Sequence, residues 1–171
     1  MKNAWYKKMA WCFAILFLLL LCFVAWVGYP GKVIIEDPVE EPPALTLQTA
    51  GDSLTVPWTQ GRWHYLNWYG HDNQRNKGGT SDQEKRWKVR QPDLITTDGT
   101  VTVSFALPPD EVAVACYNVA DHSGDVCQVD EEGRFALAEG VWTYRITANW
   151  TDETRDYDGT VIYFVCIEKS S

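Results

Sequence analysis

The sequence has too few basic residues to balance its acidic ones. Its 171 residues include 15 Lys and Arg against 23 Asp and Glu, which gives a formal net charge of −8. A generic nucleic-acid-binding protein presents a basic surface to the phosphates. The composition therefore argues against nucleic acid as a partner. The apolar fraction of 46%, with 22% charged residues, is that of a folded chain and excludes disorder of the whole protein.

Motifs for metal binding and for common hydrolytic chemistry are also absent. No two cysteines have the C-x-x-C spacing and no two histidines the H-x-x-x-H spacing of zinc sites. The nucleophile motif G-x-S-x-G is missing. Residues 121–125 (DHSGD) place a serine beside a histidine and two acids, whereas the members of a catalytic triad converge from separate segments. The sequence thus predicts no enzyme, no catalytic residue, no metal and no cofactor.

One apolar run near the N-terminus differs from the rest of the chain. Residues 9–27 (MAWCFAILFLLLLCFVAWV) contain no charged side chain. A helix of that length spans about 28 Å, close to the hydrocarbon thickness of a bilayer. We therefore predict one transmembrane signal anchor over residues 9–28, with the membrane bilayer as its partner.

Charges on the two sides of this run predict its orientation. Residues 1–8 contain three lysines, and residues 29–43 contain four acids. The positive-inside rule then places residues 1–8 in the cytoplasm and the C-terminal part outside, as in a single-pass protein of the cell membrane. The alternative is a cleaved signal peptide. The apolar run is longer than the usual 7–15 residues of a signal peptide, and no A-x-A cleavage pattern follows it.

The remainder of the chain divides into a predicted stalk and one predicted domain. Residues 29–43 contain four prolines among the acids. Proline fixes φ and lacks an N–H donor, so this segment is expected to be an extended, semi-rigid stalk. Residues 44–171 alternate apolar and polar side chains in short segments separated by turn residues. This pattern predicts an all-β domain with an antiparallel β-sandwich fold.

Two turn signals organise the predicted strands. Asp98-Gly99 lies between two β-branched segments and predicts a hairpin. In residues 144–150 every second side chain is apolar, and a matching apolar row over residues 161–167 follows a predicted turn at Asp158-Gly159. Together these segments predict the centre of the sheet.

Three segments resemble a known group of domains. The runs VWTYRITANW (residues 141–150) and GTVIYFVCI (residues 159–167) are similar to the last two strands of small bacterial Ig-like domains. The run QGRWHYLNW (residues 60–68) resembles an aromatic strand of the same proteins. Such domains occur on membrane-anchored or lipidated extracytoplasmic proteins of Gram-positive bacteria. The resemblance implies an Ig-like fold and an extracytoplasmic location, and it implies no activity.

The outer domain contains three cysteines, which cannot all pair within one chain. Cys116 and Cys127 lie at the two ends of a candidate hairpin, and the predicted compartment permits a disulfide between them. Closing this loop of about twelve residues would stabilise the fold by roughly 3 kcal/mol. The alternative is that all three are unpaired strand residues. Cys166 shares a face with Ile162 and Phe164 and is expected to stay unpaired.

Aromatic residues are concentrated between Pro57 and Gly70. Aromatic rings flanked by polar side chains suit a sugar-binding surface, and both faces of this predicted strand are aromatic, whereas a sandwich buries only one. The alternative is that the rings belong to the core. The cationic segment 85–90 can dock an anionic polymer or form a half-buried edge strand. The candidate ligand-binding residues are Trp58, Trp63, Tyr65, Trp68 and Trp87.

These features together predict a membrane-anchored, non-catalytic protein. Its expected function is interaction with an envelope protein, or sensing at the cell envelope. The alternative function is that of a carbohydrate or cell-wall binding module, with an envelope glycan as the partner and the Trp and Tyr side chains as the binding surface.

Overall fold

The computed structural model describes residues 2–27, 34–78, 91–121 and 123–170, and in the N-terminal helix it describes the side chains of Met9 and residues 11–25. The chain forms two separate compact units, residues 1–34 and residues 35–171. We call the second the sandwich unit. It begins at Ile35, so the boundary that the sequence predicted at Ala44 is placed too late.

The N-terminal unit contains helix α1 (Lys2–Val27), which is 26 residues long and includes the whole uncharged run. The helix begins well before Met9, where the predicted anchor starts. Its large apolar side chains between Met9 and Val24 are exposed. Within the described residues, no helix combines the length and the apolar character needed to cross a membrane.

The sandwich unit consists of two β-sheets in its described residues. The first sheet contains, in spatial order, β2 (Ser53–Val56), β1 (Leu45–Gln48), β6 (Thr100–Phe105) and β9 (Arg134–Ala136). The second contains, in spatial order, β4 (Asp72–Lys77), β3 (Gln60–Leu66), β11 (Tyr157–Lys169), β10 (Gly140–Trp150), β7 (Glu111–Asn118) and β8 (Gly124–Cys127). Strand β5 (Leu94–Thr96) pairs in parallel with the end of β11, and the other described pairs are antiparallel. The predicted all-β, mainly antiparallel sandwich is confirmed at this level.

The core contains side chains of both sheets and includes several large aromatic rings. The alternating residues of β10, from Tyr144 to Trp150, are buried as predicted. The edge of the Trp63 ring system meets Trp150 at a centroid distance of 5.3 Å, and its face stacks on Tyr157, also at 5.3 Å. Such pairs add about 0.5–1.5 kcal/mol beyond the area that they bury. The core therefore joins β3, β10 and β11 tightly.

The hairpin predicted at Asp98-Gly99 is wrong, because the two segments around it belong to different sheets. Strand β5 pairs with β11 and β6 pairs with β1, so the connection crosses from one sheet to the other. The Asp98 side chain accepts a hydrogen bond from Ala50 N at 2.8 Å, and Asp98 N donates to Thr96 Oγ1 at 3.0 Å. These two hydrogen bonds hold the turn residues in place although no hairpin is formed.

The turn predicted at Asp158-Gly159 is also wrong in position. The chain reverses over residues 151–156, and Gly159 lies within β11, opposite Trp63. A Cβ atom at Gly159 would collide with the carbonyl oxygen of Arg62 in β3. Glycine is thus required here because the backbones of β3 and β11 approach closely. A glycine in a strand sequence can therefore mark a close approach of two strands and not only a turn.

The predicted stalk is in part a component of the sandwich. Trp63 Nε1 donates to the carbonyl of Val39 at 2.8 Å, and the buried Tyr163 hydroxyl donates to the carbonyl of Pro43 at 2.6 Å. Arg75 forms ion pairs with Glu40 and Glu41, at 3.4 Å and 3.0 Å. Residues 35–43 are consequently a docked segment and not a spacer.

Candidate ligand-binding surface

Two of the predicted ligand-binding residues are in the core and not on the surface. Trp63 is 0% exposed, because its strand turns that face towards the other sheet. Trp58 is also buried. Lys77 covers it, with Nζ 4.1 Å from the ring centroid and 3.2 Å from the Trp58 carbonyl oxygen to which it donates. In this conformation neither indole can contact a ligand, so the surface that the sequence predicted from them is corrected.

The other three predicted residues have different environments. Tyr65 is half-buried, and the Arg75 guanidinium lies 5.9 Å from its ring centroid. Trp68 is 51% exposed. Trp87 lies outside the described residues, together with the rest of the cationic segment 85–90. Among the predicted ligand-binding residues that the structure describes, Trp68 is therefore the one with a widely exposed aromatic side chain.

Trp68 belongs to the turn between β3 and β4, which Asn67 holds in one conformation. Asn67 Oδ1 accepts hydrogen bonds from Tyr69 N and His71 N, both at 3.0 Å. Backbone bonds from Asn67 N to His71 O and from Gly70 N to Asn67 O close the turn. Gly70 has a φ of 68°, a conformation that glycine adopts at no steric cost. We call residues 67–71 the aromatic turn.

Tyr69 adds a second exposed ring to the aromatic turn. It is 62% exposed, and its ring centroid is 6.4 Å from that of His71. The sequence prediction did not include Tyr69. The signal for it was present, because Asn67 and Gly70 are typical turn residues and side chains between them are held away from a core. Two adjacent exposed aromatic rings on a hydrogen-bonded turn are typical of a contact surface.

The outer face of the second sheet contains a cleft of about 640 Å³. Its walls are formed by β3, by β11 and by the loop 151–155, and we call it the outer cleft. The register places Arg62 opposite Thr160 and His64 opposite Asp158. The complete lining is Arg62, His64, Trp150, Thr151, Asp152, Glu153, Arg155, Asp158, Gly159 and Thr160.

Asp110 holds one wall of the outer cleft in place. Its carboxylate accepts hydrogen bonds from Thr151 N at 2.6 Å and Asp152 N at 3.1 Å, and it pairs with the Arg155 guanidinium at 2.8 Å. The hydrogen bond from Thr151 is the main reason that the pKa of Asp110 lies below its usual range. The loop is thus ordered before any ligand arrives.

The charges of the outer cleft divide into paired and unpaired groups. Arg155 is paired with Asp110 and with Asp152. His64 Nδ1 lies 3.8 Å from a carboxylate oxygen of Asp72. In the described part of the chain, Arg62, Glu153 and Asp158 form no salt bridge. One guanidinium and two carboxylates therefore remain to bind hydroxyl or charged groups of a ligand.

The predicted disulfide partners lie on neighbouring strands and are not bonded to each other in this structure. The register pairs Cys116 with Asp125 and Val114 with Cys127, so the two cysteines occupy diagonal positions on β7 and β8. Cys116 Sγ lies 3.7 Å from the carbonyl oxygen of Asp125. Burial and the neighbouring Cys116 thiol raise the pKa of Cys127 to about 12. Diagonal pairs are about 7–8 Å apart between Cα atoms, which is longer than a disulfide usually spans.

No group of three potential metal ligands occurs among the residues that the structure describes. The acids around Asp152 and Asp158 serve the loop and line the cleft instead.

Searches against protein-family models, curated proteins and solved structures found no match to this chain. The resemblance to bacterial Ig-like domains therefore stays a prediction.

Proposed function

We propose that the protein is a membrane-anchored binding module of the cell envelope. Residues 9–28 would cross the membrane once, residues 1–8 would stay in the cytoplasm, and an Ig-like sandwich would face the outside. The uncharged run of α1 and its exposed apolar side chains support the anchor, because such a surface is unfavourable in water. The central position of β10 and β11 supports the Ig-like fold, since these strands contain the segments that resemble it.

The main function in this proposal is recognition of another envelope component, without catalysis. The observation that carries it is the aromatic turn, on which Trp68 and Tyr69 are exposed although the hydrogen bonds of Asn67 fix their backbone. Exposed aromatic rings cost solvation free energy, and rings on an ordered backbone lose little entropy on binding. The first candidate partner class is a neighbouring envelope protein.

A carbohydrate or cell-wall ligand is the second candidate. The outer cleft favours it, because polar and charged side chains line the cavity and the exposed indole of Trp68 follows β3, which forms one of its walls, by two residues. Among the originally predicted sugar-binding residues, Trp68 alone has both a described position and wide exposure.

The anchor and its orientation can be tested with single cysteine variants and a membrane-impermeant maleimide. We expect Thr154→Cys, in the exposed loop 151–156, to react in intact cells. Asn3→Cys should react only after permeabilisation, and the unsubstituted chain gives the background labelling. The chain should also stay in the membrane pellet after alkaline carbonate extraction. Release of the chain by carbonate would contradict the anchor and favour a cleaved signal peptide.

The binding function can be tested by photo-cross-linking in cells. A photoreactive residue at position 68 should give partner adducts, whereas the same residue at position 131, an exposed position on another loop, serves as the matched control. Adducts at position 68 that do not exceed those at position 131 would contradict a binding role for the aromatic turn.

A further inference from the structure

The outer cleft and the aromatic turn are connected through the end of β3, because His64 of this strand lines the cleft and the turn begins directly after Leu66. Leu66 N donates to Asp156 O at 2.8 Å, which joins the end of β3 directly to the loop that walls the cleft. His64 in the cleft is near Asp72, the first residue after the turn. Trp68 follows His64 by four residues, so their Cα atoms are at most about 14 Å apart. A ligand of several linked rings can span this distance.

The charges of this surface restrict the ligand class. Three acidic side chains and two arginines line the cleft, and one of the arginines, Arg155, is already paired with Asp110. An anionic polymer or an anionic lipid surface would be repelled by Glu153 and Asp158, which form no salt bridge with the residues that the structure describes. Neutral hydroxyl groups suit them, because a carboxylate accepts hydrogen bonds from hydroxyls and a guanidinium donates to their oxygens.

We infer that the outer cleft and Trp68 form a binding site for a neutral oligosaccharide. One sugar ring packs its apolar face on the Trp68 indole, and the hydroxyl groups of the following rings bind Arg62, Glu153 and Asp158. This inference rests on the proposed binding function and selects the glycan among its two candidate partners. Asp110 acts as a positioning residue, since it orders the loop that carries Glu153.

Isothermal titration calorimetry of the full chain in nanodiscs tests this site. The probes are chitotetraose, cellotetraose and maltotetraose, with polyglycerol phosphate as an anionic polymer and phosphatidylglycerol vesicles as an anionic membrane. We expect at least one neutral tetrasaccharide to bind, and the two anionic probes not to bind. Trp68→Ala and Asp158→Asn should each weaken binding about tenfold or more, as the loss of a central contact does.

The matched control is Val126→Ala, which removes an exposed apolar side chain from β8, far from the cleft in the strand order. It should leave the Kd unchanged, and circular dichroism should show that all three variants are folded. Failure of all three tetrasaccharides to bind would overturn the inference, as would binding that Trp68→Ala and Asp158→Asn do not weaken. If position 68 then cross-links to a protein, the proposed binding function stands and only the glycan is excluded.

Discussion

At the scale of single residues, Trp63 and Trp68 lie on the same segment but differ in what their removal changes. Trp63 is buried against Trp150 and Tyr157, and its indole N–H binds the Val39 carbonyl. We expect Trp63→Ala to lower the free energy of unfolding by about 3–5 kcal/mol, because it leaves a large cavity. Trp68→Ala should change it by less than about 0.5 kcal/mol. Urea denaturation of residues 35–171 measures both, and equal midpoints would contradict the assignment of Trp63 to the core.

Gly61, like Gly159, is a residue at which an added methyl group should be poorly tolerated. Its φ is 132°, and a Cβ atom would collide with the carbonyl oxygen of Thr160 on β11. We expect Gly61→Ala to destabilise the sandwich unit by about 1–3 kcal/mol, the usual cost of overpacking. Gly99→Ala is the control, since nothing lies within 4 Å of its added Cβ. If the Gly61→Ala protein were as stable as the Gly99→Ala protein, the backbones of β3 and β11 would have to lie further apart than in this structure.

Cys127 should be a slow nucleophile although it is only half-buried. Its pKa is raised to about 12, so little of it is thiolate near neutral pH, and only the thiolate reacts with iodoacetamide. We expect the alkylation rate to rise about tenfold per pH unit between pH 7 and pH 10. Peptide mapping by mass spectrometry identifies the labelled residue. If Cys116 and Cys127 resist alkylation in denaturant until a reductant is added, they form the disulfide that the sequence predicted.

Residue roles in the aromatic segment could be predicted from the sequence only in part. Alternation correctly separates Trp63 and Tyr65 from the side chains of the opposite face. It does not determine which face packs on the other sheet when both are aromatic. Trp68 lies beyond Leu66, the last residue of β3, and strand ends are not marked by side-chain type alone. The cleft was unpredictable for the same reason, because its lining comes from two strands paired across about one hundred residues of sequence.

At the scale of elements, the docked segment 35–43 determines where the folded unit begins. It supplies carbonyl acceptors to Trp63 and Tyr163 and carboxylates to Arg75. We expect a chain that begins at Ala44 to be about 2–4 kcal/mol less stable than one that begins at Ile35, because two core donors lose their partners. Thermal denaturation of the two chains measures this difference. Equal melting temperatures would show that residues 35–43 do not stabilise the sandwich unit and act only as a spacer.

Elements with internal alternation were predictable, and elements defined by distant partners were not. The centre of β10 and β11 follows from the period of its own side chains. Strand β5 has three residues, and its parallel pairing with β11 depends on contacts such as Asp93 N to Cys166 O, at 2.7 Å. Proline composition predicted an extended, semi-rigid stalk before residue 44. It contains no information about the tryptophan and tyrosine donors that bind it.

At the scale of the whole molecule, the pH dependence of stability should show which charged groups stabilise the fold. Hydrogen bonds lower the pKa of Asp110, Asp130 and Asp152, chiefly those from Thr151 N, Arg134 N and the Thr154 hydroxyl, respectively. A lowered pKa in the folded state means that the unfolded chain takes up protons first as the pH falls. We expect stability to decrease below about pH 4 and the decrease to be smaller in Asp110→Asn, measured by urea denaturation.

At alkaline pH the stability should fall as the pH rises, and the cause is burial instead of hydrogen bonding. Burial raises the pKa of Tyr144, of Tyr163 and of Cys127, so the folded state keeps protons that the unfolded chain releases. Stability should therefore fall as the pH rises above about 9, and Tyr144→Phe should flatten this fall even though it removes the acceptor of the Ala138 N–H. A profile that stays flat from pH 9 to pH 11 would mean that water reaches these groups, and hence that the two sheets are not packed on each other at the Tyr144 end of the core.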